Sequence, residues 1–163
     1  MIKTVTSKSA IKITAQLAHS IWNQHYVPII GQDQVDYMIE KFQSETAITQ
    51  QIQEGYQYFM IEHQSRPCGY LALVPNPVEG KIMISKIYVD SHYRGLGLGL
   101  ALLDFTVKKA QNEGFKTIWL TVNKYNTHSI QWYEKQGFQI KEKVEFDIGN
   151  GFIMDDYLLE KPV

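Results

Sequence analysis

The chain has 163 residues, 44% of them hydrophobic and 12% aromatic, and its 16 Lys and Arg stand against 17 Asp and Glu, a formal charge of −1. That is the length of one domain with apolar side chains enough to fill a core, which excludes a disordered chain, and the balanced charge gives no support to a strongly cationic nucleic-acid binder. The single cysteine, Cys68, excludes an intrachain disulfide and a cysteine-rich zinc site, and makes the reducing cytoplasm the expected compartment.

The N-terminal stretch is interrupted by Lys3, Lys8 and Lys12 and has no apolar leader region. No apolar run reaches the roughly 20 residues that cross a bilayer. One domain over residues 1–163, with no membrane or nucleic-acid partner, is therefore expected.

In chain order, Ile2 to Thr6 alternates as a strand. A helix follows, capped by Ser7 or Ser9, with Ile13, Leu17 and Ile21 at a spacing of four. Pro28 and Gly31 break it. Two further helices are predicted over Asp33 to Phe42 and Glu45 to Gln53. The period then changes. Tyr56 to Glu62 and Gly69 to Val74 read as strands joined by a turn near His63 to Pro67, and Lys81 to Val89 as a third strand. Gly97 to Glu113 is a helix with Leu98, Ala101, Leu102 and Phe105 on one face, closed by Gly114. Thr117 to Val122 is a strand and Asn126 to Gln136 a short helix ended by Gly137. Phe138 to Ile148 and Phe152 to Glu160 form a final hairpin across Gly149-Asn150-Gly151. This order predicts an α+β domain with a mixed, mainly antiparallel central sheet flanked by helices. The stretch 81–122 is its one parallel crossover.

Charge is unevenly divided. Residues 1–60 carry a net −1, residues 61–140 a net +3 and residues 141–163 a net −3. The middle favours an anionic ligand and the C-terminus a cationic one.

The chemistry concentrates in Lys86-Ile-Tyr-Val-Asp-Ser-His-Tyr-Arg94-Gly-Leu-Gly-Leu-Gly99-Leu100, where a strand runs through a short loop into a helix. Glycines at the helix entrance let backbone N–H groups converge, and the helix N-terminus and Arg94 add positive charge. Such a loop suits a phosphate, most naturally a pyrophosphate. No Lys-Ser or Lys-Thr follows these glycines, so it is not a nucleotide-triphosphate P-loop. Leu100 and Leu102 stand where the dinucleotide fingerprint needs its last glycine, so that motif fails in both registers.

The pattern that is present, Arg94, two residues, Gly97, one residue, Gly99, after a strand ending Ile87-Tyr-Val89, resembles the cofactor motif of the GNAT superfamily of acyl-CoA N-acyltransferases. The element order resembles that family from end to end. So does the later segment Asn126, six residues, Tyr133, three residues, Gly137-Phe138. The resemblance implies acetyl transfer from acetyl-CoA to a primary amine by direct attack in a ternary complex, with no acyl-enzyme and no metal. A small-molecule acceptor, a small amine or polyamine, is the first expectation. A peptide or protein N-acetyltransferase and a non-catalytic acyl-CoA-binding regulatory module are the alternatives. Relatives in this superfamily are often dimers, and the exposed aromatics here allow a homodimer.

By the same resemblance, Ile87, Tyr88 and Val89 run beside the pantetheine, with an N–H near Val89 on the thioester carbonyl. Arg94, Gly95, Leu96, Gly97, Leu98, Gly99 and Leu100 hold the pyrophosphate. Asn126 contacts the pantetheine or caps its helix. Tyr133 is the candidate general acid for the departing thiolate, or else a core tyrosine. Trp22 and Tyr26 wall the acceptor side with Asp155 and Asp156, or are helix-packing residues and an edge-strand alternation. Many relatives carry a Glu on the strand before the glycine loop. Met83-Ile-Ser85-Lys86 has no carboxylate there, which leaves a water chain, Glu62 or a histidine as the base.

Overall fold

Ser7 opens the first helix in the computed structural model, which describes all residues from Met1 to Val163. Its hydroxyl accepts the Ala10 N–H at 3.2 Å, so of the two expected caps Ser7 is the one used. Helix α1 (Lys8–His25) buries Ile11, Thr14, Ala18, Ile21 and Trp22. Of the expected stripe, Ile21 is buried and Leu17 packs half-buried against the same core, whereas Ile13 is 41% exposed. A strict spacing of four drifts around a 3.6-residue helix, whereas alternating threes and fours stays on one face. A short helix α2 (Val27–Ile30) follows, with Pro28 in its first turn, and then α3 (Gln32–Met38). The helix expected to reach Phe42 changes pitch into a π-helical turn over Ile39–Gln43. Helix α4 (Glu45–Gln53) is capped by Ser44 and has the expected bounds.

The sheet has seven strands: β1 (Ile2–Thr4), β2 (Gln57–His63), β3 (Arg66–Asn76), β4 (Lys81–Val89), β5 (Thr117–Asn123), β6 (Gln139–Gly149) and β7 (Phe152–Pro162). Their spatial order is β1-β2-β3-β4-β5-β7-β6, antiparallel throughout except β4 with β5. The β2–β3 turn narrows to Gln64 and Ser65, both at positive φ, as a two-residue hairpin requires. Helices α5 (Leu98–Asn112) and α6 (Thr127–Lys135) contribute Leu102, Leu103, Ile130 and Tyr133 to one core, on one face of the sheet. Helix α1 and α4 pack on the other face through Ile11, Ala18, Ile21 and Ile48. No helix is long and apolar enough to cross a membrane.

Two irregularities position the site. Ala72 faces Lys86 and Leu73 faces Ile84, so Ser85 is an extra residue that bulges β4 away from its partner. The parallel ladder between β4 and β5 holds only Lys81–Met83 against Thr117–Trp119. Beyond it the two strands splay.

Candidate active site

The splay opens a cleft of about 550 Å³ between β4, β5 and the N-terminal ends of α5 and α6. Ile87, Tyr88 and Val89 form one wall. Asp90 donates its N–H to Cys68 O on β3 at 2.8 Å, so strand alternation turns the Ile87 and Val89 N–H groups the other way, toward the open edge. A free strand edge can hydrogen-bond an extended ligand as though it were a further strand.

At the end of that wall the chain turns through a 3-10 turn, Ser91–Tyr93, into the glycine loop. Gly95 and Gly97 have φ of 80° and 72°, the left-handed region that a side chain disfavours. The first helical bond of α5 runs from Ala101 N–H to Gly97 O, and the six N–H groups from Gly95 to Leu100 bond to no backbone carbonyl. They are free donors beside a helix N-terminus. Arg94 reaches the same cleft, is exposed, and pairs with no carboxylate. Gly95, Gly97, Leu98, Gly99 and Leu100 line the cleft with it. The Leu96 side chain does not. It is 50% exposed and outside the lining, because the left-handed glycines on either side turn it outward.

Helix α6 supplies the facing wall. Asn126 stands at its N-cap, but its side chain makes no capping bond, which removes the capping role weighed from sequence. It is 4% exposed and its amide lies beside His25 and the Tyr26 hydroxyl. Tyr133 also faces the cleft, its ring edge-on to Trp132 and Phe138 with centroids at 5.2 and 5.5 Å. Burial raises its phenol above the usual tyrosine range, so the hydroxyl is protonated at neutral pH. Burial, then the Arg94 charge, lowers His25, which is neutral there as well. His128 lines the cleft, whereas His92 is turned outward onto Asp90 at 2.8 Å.

Behind the splay lies a smaller cavity of about 220 Å³, on the α1 face of the sheet. Tyr26, Ser85, Tyr88, Thr121 and Val122 line both spaces, so the two meet where β4 and β5 part. Trp22 lines only the smaller one and donates from Nε1 to the Tyr70 hydroxyl at 3.2 Å. Trp22 and Tyr26 stack at 4.3 Å, and Tyr88 closes on both. Tyr88 thus turns its ring to the smaller cavity, while its neighbours Ile87 and Val89 pack toward α5.

Besides its tyrosines, one lysine and one carboxylate reach this cavity. Lys86 is 5% exposed and its Nζ lies within hydrogen-bond reach of Phe42 O, Gln51 Oε1 and the Tyr58 hydroxyl, three partners of which none is on the strand of Asp156. Burial pushes it down to about 7. Asp156 is 2% exposed, and its Oδ1 is buried with no hydrogen-bond partner. Burial pushes its carboxyl up to about 6. Asp155, its neighbour, points the other way and pairs with Lys124. Glu62 pairs with Lys3 at 2.7 Å and lies on neither cavity, so it is not available as a base. Cys68 is buried, donates to Ile61 O and touches neither cavity. No group of three His, Cys, Asp or Glu is gathered to hold a metal.

Comparison with known proteins agrees with this geometry. The family model described as the acetyltransferase (GNAT) family matches residues 17–138. A probable spermine N(1)-acetyltransferase of Bacillus subtilis subsp. natto is 30% identical over 69 residues, 42% of this chain and 45% of that one. The ribosomal protein bS18-alanine N-acetyltransferase of Escherichia coli K12 is 29% identical over 85 residues, 52% of this chain and 56% of that one. The chain thus spans about half the length of these curated relatives. The crystal structure of PaiA N-acetyltransferase from Thermoplasma acidophilum, in complex with coenzyme A, superposes with a TM-score of 0.83 at 18% identity, over 100% of this chain and 99% of that one. At that identity the likeness is one of fold, and it covers the whole chain. With the family model spanning most of the sequence, the chain belongs to the acetyltransferase (GNAT) family.

Proposed function

We propose that this protein transfers the acetyl group of acetyl-CoA to a small primary amine by direct attack in a ternary complex. The observation that carries the reading is the junction of the two spaces at Ser85 and Thr121. On one side lie free donors for phosphate and a free strand edge. On the other lies a small aromatic cavity with one unpaired carboxylate. A thioester at the junction would be reached by an amine from behind.

The residues fit acetyl-CoA along its length. The free N–H groups from Gly95 to Leu100 and the Arg94 guanidinium suit the pyrophosphate. The open edge at Ile87 and Val89 suits the pantetheine amides. The Val89 N–H, turned outward, suits the thioester oxygen as charge develops on it, and one such donor is worth roughly 3 kcal/mol. Tyr133, protonated and facing the cleft, donates to the departing thiolate. Trp22, Tyr26 and Tyr88 line the smaller cavity with aromatic rings, a lining that suits an ammonium. A cavity of about 220 Å³ suits a compact amine or one end of a polyamine better than a folded protein terminus. The similarity to an alanine N-acetyltransferase of a ribosomal protein keeps a peptide acceptor as the second reading.

The test is acetyl-CoA-dependent thiol release, with mass analysis of products, over spermine, 1,4-diaminobutane, phenethylamine and a hexapeptide beginning with alanine. Acetylated small amines are expected. Acetylation of the peptide alone would establish the second reading. Tight acetyl-CoA binding with no acceptor turned over would leave a non-catalytic acyl-CoA-binding module.

A further inference from the structure

Asp156 has no structural task that explains it. It lies at the middle of β7, paired in register with Asn123 on β5 and Val144 on β6. A carboxylate there is nine-tenths and more buried, and a buried acceptor without a donor is a cost that folded chains avoid. Its Oδ1 is one of two buried side-chain polar atoms in the whole protein left without a partner. The other, on Gln57, lies on neither cavity, whereas Asp156 lines the small one.

The groups around it leave that oxygen free for a ligand. From β5, Thr121 lines the same cavity, and its hydroxyl partly offsets the effect of burial on the carboxyl. From β7, Asp155 repels it, though Lys124 outside draws the Asp155 charge away. From α1, Tyr26 faces it as a neutral phenol. From β4, Lys86 reaches the same cavity with its Nζ engaged by Phe42 O, Gln51 Oε1 and the Tyr58 hydroxyl rather than by Asp156. Strand β6 brings only Val144 opposite. No cation within the protein neutralises Asp156.

Resting on the proposed acetyl transfer, we propose that Asp156 receives the acceptor's ammonium group and takes the proton that must leave before nitrogen can attack. The ammonium R–NH3+ gives one proton to the Asp156 carboxylate and becomes R–NH2. Its lone pair forms the C–N bond at the thioester carbon. The C–S bond breaks as Tyr133 protonates the sulfur, and the resulting phenolate takes the second proton from nitrogen. The Asp156 proton then passes to solvent, so the net products are the amide, CoA thiol and one proton. A carboxylate held near neutrality is suited to this exchange, since it is ionised at pH 7 yet accepts a proton readily. The cavity therefore selects an acceptor with one buried ammonium and an otherwise apolar or aromatic body, because it offers a single free anionic oxygen.

The experiment measures kcat/KM against pH for spermine and phenethylamine with the wild type, Asp156→Asn and Thr121→Val, alongside acetyl-CoA dissociation constants. The wild type is expected to show an ascending limb near pH 6. Asp156→Asn is expected to lose that limb and at least 100-fold in kcat with its acetyl-CoA constant within twofold. Thr121→Val, which removes the hydroxyl that favours the ionised form, is expected to move the limb to higher pH. The carboxyl 13C signal of Asp156 in the wild type gives a reading that needs no turnover, and it is expected to titrate well above 4. Unchanged turnover and pH profile in Asp156→Asn would overturn the role of Asp156 while leaving acetyl transfer standing. So would an Asp156 signal that titrates near 4. A wild type inactive on every amine would instead overturn the proposed acetyl transfer.

Discussion

Met83 pairs with Trp119, and this is the last rung of the parallel ladder between β4 and β5. Two residues later Ser85 bulges out of register with β3. The bulge bends β4 just where its parallel partner lets go, and one strand edge is left open over Ile87 and Val89. The cleft and the small cavity both depend on that opening.

Tyr133→Phe removes a hydroxyl that no other residue of the chain engages, so the fold should be little affected. Turnover is expected to fall about 100-fold, with acetyl-CoA affinity within twofold. Steady-state kinetics beside a binding titration separates the two. Unchanged turnover would remove Tyr133 from the reaction and leave it a packing residue.

Arg94 is exposed and unpaired, so Arg94→Ala should leave the melting temperature unchanged. It should weaken acetyl-CoA binding about tenfold, the worth of one charge-assisted hydrogen bond. Gly97→Ala differs. At φ 72° an added Cβ costs about 1 kcal/mol in strain, so both stability and binding should fall. Calorimetry of each variant with and without CoA reads both effects.

Cys68 touches neither cavity. Cys68→Ala should cost about 1 kcal/mol of stability through the small void it leaves, and should leave kcat unchanged. Two-substrate kinetics should give intersecting rather than parallel lines. Parallel lines together with loss of activity in Cys68→Ala would point to an acyl-enzyme.

Lys86 gives a pH signature. Its ammonium is held down to about 7 by burial, against 10.5 in the unfolded chain. Between those values the unfolded chain binds the proton and the folded one does not, so stability rises with pH. From pH 7 to pH 9 the gain from this group is up to about 2 kcal/mol. Urea unfolding at the two pH values should show the rise in the wild type and not in Lys86→Met. An equal rise in both would place the effect elsewhere.

Much of this was legible in the sequence because it is local. Lys81–Val89 and Glu45–Gln53 have the predicted bounds, since each is bracketed by a turn residue or a cap. The loop from Arg94 to Leu100 was readable because its glycines answer to backbone φ, a property of the residue itself. The remainder depends on distant pairings. Ser85 bulges because β3 sets the register across from it; the family resemblance implies a bulge near here, but Met83-Ile-Ser85-Lys86 alone does not place it. Asp155 and Asp156 are adjacent and chemically alike, so the sequence could show that one faces inward but not which. Pairing of Asn123 with Asp156 decides it, and sends Asp155 out to Lys124. Glu62 was a reasonable base until the sheet placed it beside Lys3.

A crystal structure of the complex with acetyl-CoA tests the central claim most directly. The pyrophosphate should lie within hydrogen-bond distance of the N–H groups from Gly95 to Leu100, and the thioester carbon between Ser85 and Thr121, facing the cavity that holds Asp156. A pyrophosphate bound away from that loop, or an acetyl group turned from the opening, would contradict it.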